Sequence, residues 1–183
     1  RVDAGIPLPD DEIPLAPLLR TVADETLASA GERIVSVTIG SPDAKVRGSE
    51  SLLRRLLENL ADNAVKYTAE RGTISISLVD EGDNAVVTIA DDGVGMTPEE
   101  LTQAFDRFWR SDRSRERPGS GLGLAIAKTV AEAHGATIDA TSEPEAGTTF
   151  TIRIPRSPSE EEMPAEDSPS GAAPMSATAR GDA

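Results

Sequence analysis

Apolar residues recur along this chain with two different periods. Over residues 15–30, Leu15, Leu18, Leu19, Val22, Ala23 and Leu27 share one helical face, and Gly31 stops the run. "RIVSVTI" (33–39) predicts a strand. Residues 49–67 predict a long helix, with Leu52, Leu53, Leu56, Leu57, Leu60 and Ala64 along one side. "TISISLV" (73–79) and "AVVTIA" (85–90) lie either side of the turn-rich "DEGDN" and predict a β-hairpin. Thr97, Pro98, Glu99 and Glu100 spell a capping box with Pro at the first helical position. Residues 122–134 predict a further helix, ended by Gly135, and two strands follow near 136–142 and 148–154. The order predicts an α+β fold: a two-layer sandwich whose mixed, mostly antiparallel sheet carries helices on one face.

The two ends fall outside this pattern. "RVDAGIPLPDDEIP" is Pro-rich and reads as a linker over residues 1–14, which leaves 15–155 as the domain. From Pro155 to Ala183 there is no Val, Ile, Leu or aromatic residue, and six acids face two arginines. Such a stretch cannot bury enough apolar surface to offset its ordering entropy, so 156–183 is expected to be a disordered acidic tail. A start at Arg1 rather than Met predicts a piece of a longer protein.

Net charge narrows the partners. At −14, with aromatics at 3%, the 183-residue chain lacks the cationic contacts and stacking platforms of nucleic-acid binders. The same charge opposes contact with an anionic membrane surface. Cys is absent, which removes thiolate and disulfide chemistry. No segment has the length of a membrane span or the form of a signal peptide.

Four segments could carry chemistry. "RPGSGLGLAI" (117–126) runs three glycines into a helix. It fails both the dinucleotide fingerprint and the P-loop pattern. It can be a crowded helix start, or a loop whose glycines admit a phosphate to free helix amides. In "ENLADNAVKY" (58–67), Asn59, Asn63 and Lys66 share a stripe about 60° wide beside the leucine face. Amide oxygens there suit Mg2+ and the ammonium suits phosphate, while a solvated helix flank is the plainer reading. "DDGVGM" (91–96) ends a strand in a glycine turn and fixes the Asp91 carboxylate, an acceptor for an amine such as adenine's. Strand alternation points Asp92 the other way. "FDRFWRSDRSRERPG" (105–119) gathers five arginines in an acidic chain, as an anionic ligand or a solvated loop would allow. Phe105, Phe108 and Trp109 are expected to anchor its start to the domain.

In order and spacing these segments closely resemble the nucleotide-binding catalytic domain of bacterial sensor histidine kinases, in the superfamily shared with gyrase and the heat-shock chaperone ATPase. "ENLADNAVKY" resembles the family's asparagine box, "DDGVGM" its first glycine box, "FDRFWR" its phenylalanine box and "GSGLGL" its second glycine box. "GTTFTIRIP" resembles the closing segment, and the likeness covers roughly residues 13–155. It implies the Bergerat-type ATP-binding fold with a mobile ATP lid. It implies ATP and Mg2+ as cofactors, with Asn63 as the metal ligand and Asn59 and Lys66 in catalytic support at the phosphates. Tyr67 would pack on the nucleoside and Asp91 would take the adenine amino group. Gly93 and Gly95 would shape the turn, and Thr148 would join the nucleotide-binding residues. Arg110 and Arg115 would reach phosphate from the lid, the backbone amides of Gly121, Leu122, Gly123 and Leu124 would receive phosphate oxygens, and Gly119 would join the nucleotide-binding loop.

The resemblance further implies a protein-histidine kinase. The chain would transfer the ATP γ-phosphoryl group to a histidine on a separate dimerisation and phosphoacceptor domain, for relay to a response regulator. The family's phosphoacceptor helix is absent. The only histidine, His134, precedes a helix-stop glycine and is expected to cap that helix. The expected setting is the cytoplasmic part of a membrane-anchored sensor, monomeric alone and homodimeric at full length. Three alternatives stand beside this: an ATPase of the superfamily, a serine kinase of the anti-sigma type, and a nucleotide-sensing module without catalysis. The ATPases resemble each other in carrying Glu where this chain has Asn59, and an amide cannot take a proton from water.

Overall fold

The computed structural model describes residues 9–110 and 120–157. Its elements run β1 (Asp11–Pro14), α1 (Leu15–Ser29), β2 (Ile34–Ile39), β3 (Lys45–Gly48) and α2 (Glu50–Tyr67). Then come β4 (Thr73–Glu81), β5 (Asn84–Asp91), α3 (Pro98–Gln103), α4 (Gly123–Ala133), β6 (Thr137–Glu143) and β7 (Gly147–Pro155). A five-stranded sheet has the order β2-β4-β5-β7-β6. Only β2–β4 is parallel, since α2 separates those strands and returns the chain to the same edge. The other three pairings are antiparallel.

Period-two alternation decides the two faces of this sheet. On β4, Ile74, Ile76 and Leu78 are buried while Thr73 and Ser75 are exposed. Val87 and Ile89 of β5 and Phe150, Ile152 and Ile154 of β7 continue the buried face. Against it pack Leu15, Leu19 and Val22 of α1, Leu53, Leu56, Leu57 and Leu60 of α2, and Ala127 and Ala131 of α4 in one cluster. The two-layer sandwich expected from the pattern is the fold observed. The α3 capping box is present: Thr97 accepts from the Glu100 amide and Glu100 from the Thr97 amide.

A second sheet, not predicted by the hydrophobic pattern, lies beside the first. β1 and β3 pair antiparallel, Asp11 with Gly48 through Pro14 with Lys45. Residues 11–14 therefore belong to the domain, in contrast to the linker expected there. Each strand buries a single large apolar residue, Ile13 or Val46, too little to set a period. The domain also runs slightly past residue 155. Val46 bridges Arg156, and the Ser157 amide donates to the Lys45 carbonyl at 2.8 Å. The expected tail from 158 on, and lid residues 111–119, lie outside the described residues.

Candidate nucleotide site

The site begins with α2, whose leucine face drives it against the sheet and α4. That packing leaves Asn59, Asn63, Lys66 and Tyr67 along the rim of a cavity of about 560 Å3. The opposite wall is the start of α4. Gly123, its first residue, is so close to Asn59 that an added Cβ would stand 3.4 Å from Asn59 Oδ1. Leu122 precedes the helix without a side-chain cap, so the first turn of α4 begins uncapped beside Asn59. The Asn59 Nδ2 atom is buried with no hydrogen-bond partner. A buried amide donor without a partner costs free energy, and a ligand acceptor at this place would remove that cost.

The other end of the cavity is made by strand ends. Asp91 closes β5, between Ile74 of β4 and Thr148 of β7. Its Oδ1 accepts from the Gly93 amide at 2.9 Å. Burial raises its pKa to about 6; the Gly93 and Thr148 amides oppose that rise and the Asp92 charge adds to it. Asp92 turns away, as alternation predicts, and accepts from the Thr73 amide at 2.8 Å. Two glycines make this turn possible. Gly147 has φ +89° and lies against the Asp91 carbonyl, and Gly95 has φ +61° and lies against the Glu143 carbonyl. Any side chain at either place would both strain the backbone and collide with a neighbouring strand.

The structure brings most of the expected residues together. Asn59, Asn63, Lys66, Tyr67, Asp91, Gly95, Arg110, Gly121, Leu122, Gly123, Leu124 and Thr148 all line this cavity. Gly93 stands behind Asp91 and contributes its amide. Arg115 and Gly119 lie outside the described residues. The two ends of the expected lid are clasped, because the Phe108 amide donates to the Gly121 carbonyl at 3.0 Å. Phe105 packs edge-on against Phe150, with centroids 6.2 Å apart, and Trp109 lines the cavity. Phe108 departs from expectation: it is 73% exposed. Its φ of +64° turns the chain sharply at that point, and no sequence period reports such a turn.

Sequence reasoning passed over Arg55 and Asp62, which also line the cavity from α2. Their spacing from Asn59, one turn before and three residues after, was the available signal. Burial raises the Asp62 pKa, and Glu58 and Glu25 raise it further. Glu58 itself is held by Arg54 Nε at 2.7 Å, away from the cavity. His134 is the cap expected of it. Its Nδ1 meets the Val130 carbonyl at 2.8 Å and its Nε2 accepts from the Ser49 amide at 3.1 Å, which ties the end of α4 to the start of α2.

Residues 48–158 match the family described as histidine kinase-, DNA gyrase B- and HSP90-like ATPase. The chain belongs to this family. Among curated relatives of this ATPase domain, the heme sensor protein HssS of Staphylococcus saprophyticus is 37% identical over 149 residues. That match covers 81% of this chain and 32% of HssS. The sensor-like histidine kinase SenX3 of Mycobacterium tuberculosis is 37% identical over 142 residues, covering 74% of this chain and 35% of SenX3. The chain thus spans about a third of the length of these curated relatives. Among solved structures, the mycobacterial sensor histidine kinase MprB superposes with a TM-score of 0.73 at 29% identity, covering 82% of this chain and 99% of that one. Full-length ShkA in complex with AMPPNP gives 0.75 at 29% identity, covering 85% of this chain and 33% of that one.

Proposed function

We propose that this ATPase-family domain binds Mg·ATP and is the catalytic part of a two-component sensor histidine kinase. It would present the γ-phosphoryl group to a histidine on a separate dimerisation and phosphoacceptor domain, and a response regulator would receive the phosphoryl group next. The observation that carries the reading is the polarity of the cavity. A half-buried carboxylate ends one side, and an unpartnered Asn59 Nδ2 stands near the uncapped start of α4 on the other. That pattern is complementary to a molecule with an amine at one end and phosphates at the other.

The Asp91 carboxylate would accept from the adenine amino group while Oδ1 stays with Gly93. Asn59 Nδ2, the Lys66 ammonium and the first-turn amides of α4 would hold phosphate oxygens. Among the described residues no cluster of three or more His, Asp or Glu could hold a metal ion. Asn63 on the cavity rim, whose amide oxygen is a hard donor, would hold an Mg2+ ion brought with the nucleotide. Bound there, Mg2+ supplies neutralisation of phosphate charge. Transfer outweighs hydrolysis in this reading, because Asn59 cannot take a proton and Glu58 is committed to Arg54. Phe108, left in solvent beside the lid, offers an apolar contact to an incoming acceptor domain. The parent would be a membrane-anchored homodimer with this domain on the cytoplasmic side; no helix among the described residues is long and apolar enough to cross a membrane.

Radiolabelled ATP tests this reading. The chain alone should not label itself and should hydrolyse ATP slowly. Added to a separately expressed phosphoacceptor domain of its parent, it should label that domain with an acid-labile, base-stable bond. Transfer would be weak, since the tether's effective concentration is lost. Strong self-labelling or rapid hydrolysis would overturn the proposal, and tight ATP binding without any transfer would replace it with a nucleotide-sensing module.

A further inference from the structure

Ser142, near the end of β6, belongs to none of the segments that announced the site. Its Oγ lies 2.8 Å from the Met96 amide nitrogen, 2.8 Å from the Gly147 carbonyl oxygen and 2.9 Å from Thr148 Oγ1. A serine hydroxyl has one proton and two acceptor lone pairs. The Met96 amide can only donate, and the Gly147 carbonyl can only accept. One arrangement alone makes all three contacts hydrogen bonds at once. Ser142 donates to Gly147 and accepts from both Met96 and Thr148. The single hydroxyl proton of Thr148 is thereby turned toward Ser142. What Thr148 Oγ1 keeps for the cavity is lone pairs only. Asp91 beside it is an acceptor as well when ionised. This end of the cavity therefore offers two side-chain acceptors and no hydroxyl donor.

We propose that Ser142 is a positioning residue for nucleobase choice: by holding the Thr148 proton, it makes the site accept a purine amino group and reject a carbonyl at the same ring position. The proposal rests on the reading of the cavity as a purine nucleotide site. Ser142 does not touch the base in this account. It acts through Thr148, and through the Met96 amide that it anchors. Without Ser142 the Thr148 hydroxyl is free to rotate and can donate to a carbonyl.

Calorimetry of the whole chain with Mg2+ and either ATP or inosine triphosphate, which differ in this amino-for-carbonyl exchange and in the N1 proton that comes with it, tests the proposal. Ser142→Ala should shrink the preference for ATP about tenfold, mainly by improving inosine triphosphate binding. Ser142→Thr keeps a hydroxyl on a strand that suits a β-branched residue, and should restore the preference. Ser142→Cys puts a poor acceptor in the same space and should behave like the alanine variant; it replaces that variant if circular dichroism shows it unfolded. An unchanged preference in the Ala and Cys variants would overturn the proposal. So would an equal loss of both affinities, the mark of a merely structural role. Failure of the wild-type chain to bind ATP would overturn the nucleotide reading itself, and is told apart from the Ser142 outcomes because it needs no variant.

Discussion

The two ends of the cavity are built in opposite ways. The carboxylate end is closed before any ligand arrives. Asp91 Oδ1 is held by Gly93, Ser142 has every hydrogen-bonding position filled, and Gly95 and Gly147 fit against neighbouring carbonyls. All of this rests on the ends of β5, β6 and β7, which pair within one sheet. The helical end is open. Asn59 Nδ2 has no partner, and α4 starts without a side-chain cap. In the proposed reading, a site divided this way would choose its ligand with the closed part and complete its chemistry with the part that the ligand fills.

The largest expected effect breaks the closed end. In Asp91→Asn, the Gly93 amide would retain the amide oxygen and turn the NH2 group toward the adenine amino group, donor against donor. ATP affinity should fall about a hundredfold by calorimetry. The same variant should raise the melting temperature at neutral pH. The folded pKa of Asp91, about 6, is raised above the ordinary 3.8, so its contribution to stability is complete below the latter value and lost as pH rises through the former. The gain from Asn should accordingly vanish near pH 4. A variant that binds ATP normally, or loses stability at pH 7, would show that Asp91 is not the half-buried acceptor described.

Next in size is a break at the open end. Asn63→Ala should weaken Mg2+-dependent ATP binding about tenfold while leaving the metal-free affinity nearly unchanged. Trp109 lines the cavity and is the only tryptophan, so its fluorescence reports both. An equal loss with and without metal would move Asn63 out of the metal's reach. A smaller effect sharpens the contrast without any substitution. Between pH 7.5 and 5.5 the ionised fraction of a group with a pKa near 6 falls roughly fourfold. ATP affinity should fall by about that factor in wild type and stay level in Asp91→Asn. The smallest effect on binding should come from His134→Ala. It orphans the Ser49 amide and should cost about 1 kcal/mol of stability in denaturant unfolding, with little change in ATP affinity.

Much of this contrast was legible in the sequence, because its parts follow local rules. The stripe of Asn59, Asn63 and Lys66 needs only a helical period, and the position of Asp91 needs only a strand that ends in glycines. β1 and β3 were not legible. Each has four residues and one large buried side chain, and each finds its partner more than thirty residues away. Phe108 was placed wrongly for a similar reason. Its exposure follows from one backbone angle, fixed by a bond to Gly121 across the loop. Ser142 was invisible because a serine on an edge strand reads as a solvent-facing residue. Its role depends on three partners brought together by the turns after β5 and β6.

The central claim is that the rigid end reads an adenine amino group through Asp91. Titration calorimetry of the wild-type chain at neutral pH, with Mg2+ and either ATP or GTP, tests it most directly. The account predicts that ATP binds at least about tenfold more tightly, because the guanine carbonyl would face an ionised carboxylate. Equal affinities for the two nucleotides would contradict it.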